Sequence, residues 1–128
     1  MAAWQYQDLG DGVFRPYLAV WLDPNVRYPA IIDSGADATC IPLPIAQALG
    51  VAYDPGVVLQ GGGAGGVHNF FKASDDVTLQ CAEGAFTIAR PSINPQLAFI
   101  LLGRADFFRI FHCQFDERAR IFTLTRFP

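Results

Sequence analysis

The feature that most limits how this chain can fold is its punctuation. Twelve glycines and nine prolines break 128 residues into short stretches rich in Val, Ile, Phe and Thr. Such stretches, bounded by residues that end helices and make turns, imply an all-β fold. Val13 to Leu22 is expected to form a strand in which Pro16 takes an edge or a bulge, because proline has no N–H to offer a ladder. Asp23-Pro24-Asn25 has proline at the favoured second position of a turn, and Tyr28 to Ile32 then runs extended and apolar into Asp33. Val57 to Gln60 is a further strand that breaks into the run Gly61 to Gly66. Val67 to Ala73 and Val77 to Cys81 are strand-like around a turn at Ser74-Asp75-Asp76. Ala85 to Arg90 and Leu97 to Leu102 follow, separated by Pro91-Ser92-Ile93-Asn94-Pro95.

Two segments depart from this pattern. Pro44 to Leu49, with proline at its start and Gly50 past its end, is expected to form a short helix. In Arg104 to His112, Phe107, Phe108 and Phe111 fall at helical spacing and predict a second. Residues 113–127 read as a hairpin turning at Asp116-Glu117-Arg118.

A chain of this length makes one domain, residues 1–128. Hydrophobic residues at 52% against 16% charged supply a core and leave apolar surface for a partner. The net charge is −3, with eight Arg and one Lys scattered among twelve carboxylates, which argues against nucleic-acid binding. The longest apolar run, Leu97 to Leu102, falls far below the roughly 20 residues of a membrane span. Met1-Ala2-Ala3-Trp4-Gln5 has neither the basic nor the apolar region of a signal peptide. Cys40, Cys81 and Cys113 are spaced for neither a zinc site nor a disulfide framework and suit small buried hydrophobes in a reducing compartment. A cytoplasmic protein is expected, with no membrane partner.

Two constellations can carry chemistry. In Ala30 to Thr39, an apolar strand delivers Asp33 directly into Ser34-Gly35-Ala36-Asp37. In Phe99 to Phe107, an apolar strand ends in Gly103-Arg104 and enters the predicted helix. Each alone has an ordinary reading as a strand leaving for a turn. The stretch Gly61-Gly62-Gly63-Ala64-Gly65-Gly66 spells a dinucleotide-binding pattern, but Val67 to Phe71 behind it is β-like rather than helical, so that role is rejected. A mobile hairpin tip suits the glycines better. His68 and His112 lack the context of a nucleophile's base, and Asp75-Asp76 is a solvated turn with no further metal ligands gathered near it.

Taken together, Asp33-Ser34-Gly35-Ala36-Asp37 and, about 70 residues later, Leu101-Leu102-Gly103-Arg104 resemble the signature of the retroviral-type (retropepsin-like) aspartic peptidases. The likeness is greatest to the retroviral-like peptidase domains of cellular and bacterial proteins. It covers roughly residues 12–127, since the helix at Pro44 to Gly50, the glycine-rich hairpin and the tail His112 to Asp116 fall in the family's order.

The resemblance implies a closed β-barrel of one acid-protease lobe with two short helices, acting as an aspartic endopeptidase. Asp33 would be the catalytic residue. With a single Asp33-Ser34-Gly35 in the chain, the second carboxyl must come from another subunit, so a twofold homodimer is implied. Ser34 and Gly35 would shape the site. Gly35, Ala36 and Asp37, with Gly62, Gly63 and Ala64 of a flap spanning residues 60–67, would bind an extended polypeptide. Gly103 and Arg104 would support the site, Arg104 through an ion pair with Asp37 of the same subunit. No metal or organic cofactor is implied. A silent peptide-binding or dimerisation module of the same fold is the alternative.

Overall fold

The computed structural model describes residues 2–63 and 66–128. The strands of the first half are β1 (Ala2–Gln5), β2 (Tyr17–Trp21), β3 (Arg27–Ile32), β4 (Cys40–Pro42), β5 (Leu59–Gly63) and β6 (Gly66–Lys72). Those of the second are β7 (Val77–Cys81), β8 (Gly84–Ile88), β9 (Ser92–Asn94), β10 (Ile100–Leu102), β11 (Phe111–Asp116) and β12 (Ile121–Arg126). The helices α1 (Leu43–Ala48) and α2 (Phe107–Ile110) are short, as expected. Alternation dictates the burial: Leu79, Cys81, Phe86 and Ile88 face the core while Thr78, Gln80, Ala85 and Thr87 face water.

Helix α2 is shorter than the spacing of Phe107, Phe108 and Phe111 suggests. Phe111 leaves the helix to begin β11, where its ring lies 4.9 Å from that of Phe107 and 6.1 Å from that of Phe86. These buried rings draw β8, α2 and β11 together. Strand β1 is not expected from its residues, because Ala-Ala-Trp-Gln carries little strand signal. Tertiary pairing makes it: Trp4 lies opposite Phe122 of β12, their rings stacked at 5.4 Å. The three-residue strands β4 and β9 are products of pairing in the same way.

Among the described residues the strands pair into two sheets, with no pairing that closes them into the barrel the resemblance implies. One runs β1-β12-β11 and the other β5-β6-β9-β4-β10-β3-β2-β7-β8. Strand β12 spends both edges on β1 and β11, which leaves it none for β8. A side chain spans that seam: Arg126 donates to the Ala85 carbonyl at 2.7 Å and the Glu83 carbonyl at 3.5 Å, above the Phe111 ring.

Prolines fall where the ladder can spare a donor. Pro16 precedes β2 and contributes only its carbonyl, which accepts from Ile32 N–H at 3.1 Å. By the alternation of antiparallel pairs, the nitrogen of Pro29 then points away from β2. It points toward β10, whose pairing with β3 begins only at Ala30.

Candidate active site

The site is built where three strands meet. Strand β10 lies between β3, which it pairs in parallel, and β4, which it pairs antiparallel. Residues 33–39 connect β3 to β4 and therefore must cross the end of β10. This crossing sets the requirement for Gly103, the first residue after β10. A Cβ there would lie 2.3 Å from the carbonyl carbon of Ala38, closer than any side chain can come.

The crossing loop and the segment after β10 are joined almost residue by residue. Asp33 N–H donates to the Leu102 carbonyl at 3.0 Å, Arg104 N–H to that of Ala36 at 2.9 Å, and Ala105 N–H to that of Asp37 at 2.8 Å. The Asp33 side chain turns back on its own loop, Oδ1 accepting from Gly35 N–H at 2.9 Å. That local turn fixes the carboxyl's direction. Asp33 is partly buried, and Ser34 and Gly35 are exposed beside it.

The sequence motifs are thus brought together, with one correction. Asp37 and Arg104 are both exposed and do not form the expected ion pair. Among the described residues the salt bridge joins Arg15 to Asp11, at 2.6 Å. Backbone hydrogen bonds already hold the loops carrying Asp37 and Arg104, and in water an exposed pair gains too little to order two side chains.

Two residues of the site carry no role that the sequence motifs assign. Thr39 is fully buried, a lone polar side chain among the buried residues described. Its hydroxyl donates to Asp106 Oδ1 and accepts from Gly103 N–H at 3.1 Å, and its N–H donates to Asp106 Oδ2 at 3.3 Å. Asp106 also caps α2, Oδ1 accepting from Phe107 N–H at 2.7 Å. Asp106 lies inside the helix expected over Arg104 to His112 and becomes a cap because α2 begins only at Phe107. Nothing in the sequence marks Thr39.

Burial pushes the Cys40 thiol up, with the Asp106 and Asp33 carboxylates adding to the shift and Lys72 opposing it. A thiol so held is a neutral packing group and a poor nucleophile. Among the described residues no group of three or more His, Cys, Asp or Glu is placed to hold a metal ion. None of the helices described is long and apolar enough to cross a membrane.

Gly62 and Gly63 lie in a separate hairpin, opposite Val67 and Gly66 on β6; Ala64, also expected at the site, lies outside the described residues. The hairpin joins the nine-stranded sheet where Phe71 and Lys72 pair with β9. Gly61 makes room for its neighbours across the ladder, since a Cβ there would stand 3.1 Å from the Phe70 ring. A concavity of about 410 Å³ lies elsewhere, lined by Trp4, Trp21, Arg27 and Tyr28 near the start of β3, whereas Asp33 follows its end.

No family model matches the chain, and no curated protein matches it in sequence. The folded chain does match a solved structure, the crystal structure of a retropepsin-like aspartic protease from Rickettsia conorii. The match has a TM-score of 0.62 at 18% identity and covers 96% of this chain and 90% of that one. The protein has the retropepsin-like fold.

Proposed function

We propose that this protein is an aspartic endopeptidase that works as a twofold homodimer, with Asp33 of each chain forming the catalytic pair. One observation carries the reading. A single Asp-Ser-Gly leaves the end of β3 across the end of β10, on a retropepsin-like fold, its loop held by the segment after Gly103. Two carboxyls that meet across an axis share one proton, since like charges about 3 Å apart cannot both ionise. The ionised member takes a proton from water as the water oxygen attacks the peptide carbonyl carbon. The protonated member gives its proton to the carbonyl oxygen. The tetrahedral gem-diol then collapses: one of its hydroxyls returns a proton to the ionised aspartate as the C–N bond breaks, and the departing nitrogen takes the proton that the other aspartate had drawn from water, so the pair again holds one proton.

Ser34, Gly35, Ala36 and Asp37 line the floor beside Asp33, and the β5–β6 hairpin is the flap that closes over an extended polypeptide. Strand β11 suits the dimer contact. Phe127 N–H bonds the Ile110 carbonyl, so by alternation Cys113 and Phe115 turn their backbone groups to the free edge. Phe115 is 40% exposed there. The free thiols of Cys40, Cys81 and Cys113 suit a reducing compartment such as the cytoplasm.

The test is cleavage of a diverse peptide library at about pH 4 to 7, at several protein concentrations, by wild type and Asp33→Asn. The expected result is activity per subunit that rises with concentration and a variant that cuts nothing. Optimal activity should lie on the acid side, where the pair keeps its proton. Cleavage by neither protein, with a dimer present in solution, points to the silent binding module; equal cleavage by both removes Asp33 from the chemistry.

A further inference from the structure

One peptide unit connects the Thr39–Asp106 pair to the proposed nucleophile-activating residue. The carbonyl of Leu102 and the N–H of Gly103 belong to the same amide plane. That carbonyl accepts from Asp33 N–H at 3.0 Å, and that N–H donates to the Thr39 hydroxyl at 3.1 Å. A planar amide turns as one body, so fixing its N–H fixes its oxygen. The Thr39 hydroxyl can accept from Gly103 only while its own proton points elsewhere. It points at Asp106 Oδ1, and Asp106 is held in turn by Thr39 N–H and Phe107 N–H.

We propose that Asp106 is a positioning residue for the Asp33 site, acting through the Thr39 hydroxyl and the Leu102–Gly103 peptide plane. This rests on the peptidase reading above. An ionised carboxylate is an acceptor only, so it admits one orientation of the hydroxyl. The hydroxyl then presents a lone pair to Gly103 and holds the amide plane against Asp33 N–H. The linkage also does what an Asp37–Arg104 pair was expected to do, and it leaves both of those exposed side chains unspent.

Three variants test this in the full chain. Thr39→Val keeps the shape and removes the hydroxyl, Thr39→Ser keeps the hydroxyl, and Asp106→Asn exchanges an oxygen for a donor that opposes Thr39 N–H. The readouts are kcat and KM for a cleaved peptide, and amide hydrogen exchange resolved by residue. Thr39→Val is expected to lose about 100-fold in kcat with KM near that of wild type, the scale of a misplaced reacting group. Thr39→Ser should recover most of it, and Asp106→Asn should fall between. The amides of Asp33 and Gly103 should exchange faster in Thr39→Val while Val20 and Ile88 stay protected.

Unchanged kcat and unchanged protection at Asp33 in both Thr39→Val and Asp106→Asn overturn the proposal. Loss of protection throughout the core in both variants also overturns it, since Thr39 and Asp106 would then serve the fold alone. Should wild type cleave nothing, the peptidase reading fails by itself, and selective release of the Asp33 and Gly103 amides still decides the linkage.

Discussion

Residues 33–39 and 102–106 are tied by backbone and side-chain hydrogen bonds around a buried Thr39, and Gly103 fits against Ala38 with no room for a methyl. The β5–β6 hairpin is built otherwise. Gly61, Gly62, Gly63 and Gly66 recur through it, Val67 is 75% exposed at its far end, and it is anchored through Phe71 and Lys72. The first region has many partners per residue and one arrangement. The second has a ladder of its own and little else. Low local stability follows from few buried apolar contacts and exposed backbone hydrogen bonds. The proposed peptidase, which would hold two carboxyls in register and still admit a polypeptide, would draw on both kinds of region.

The difference can be broken most severely at Gly103. Gly103→Ala should cost about 3 kcal/mol or more, because the added methyl meets backbone rather than a movable side chain. Urea unfolding measures it, and a wild-type midpoint would mean that the two loops are not locked together. Gly66, at φ +95°, tests the hairpin. Gly66→Ala should cost about 1 kcal/mol by forcing a side chain into that conformation. The loss should show in turnover more than in the unfolding midpoint, and a midpoint drop as large as that of Gly103→Ala would erase the contrast.

Cys113 reports on β11. Burial pushes its thiol up to about 11, so the folded chain keeps this proton longer than the unfolded chain does. Its contribution to stability is therefore intact below about pH 9 and is lost as the pH rises through about 11. A scan of unfolding midpoints from pH 8 to 11 in wild type and Cys113→Ala should show a steeper alkaline decline in wild type. The smallest effect is expected at Arg104: with no ion pair to lose, Arg104→Ala should change stability by less than about 0.5 kcal/mol. A loss above about 1 kcal/mol would restore the pairing with Asp37.

The residues that carry local patterns are legible in the sequence itself. Asp33 at the end of an apolar strand, Gly103 at the end of another, and the alternating runs at Val77 to Cys81 and Ala85 to Arg90 each declare themselves within a few residues. Strands β1, β4 and β9 do not, because each exists through pairing with distant chain. The expected Asp37–Arg104 pair fails for a related reason: sequence shows two charges but not that backbone bonds already satisfy the loops bearing them. Thr39 is illegible because a threonine beside a turn is ordinary until burial makes its hydroxyl obligatory. The expected closed barrel depends on which neighbours β12 chooses, and no stretch of residues announces that choice.

The guanidinium of Arg126 has a bearing on the fate of the molecule in a crowded solution. Strand β8 ends its sheet with a row of carbonyls and N–H groups, a ready template on which another copy could lay its own strand. One of those carbonyls, that of Ala85, is already taken by Arg126, which also reaches the Glu83 carbonyl in the turn before the strand. A charge laid along an edge is one of the means by which β proteins escape fibrous association. The residue that spans the seam between two sheets thereby helps to keep one molecule from adding itself to the next.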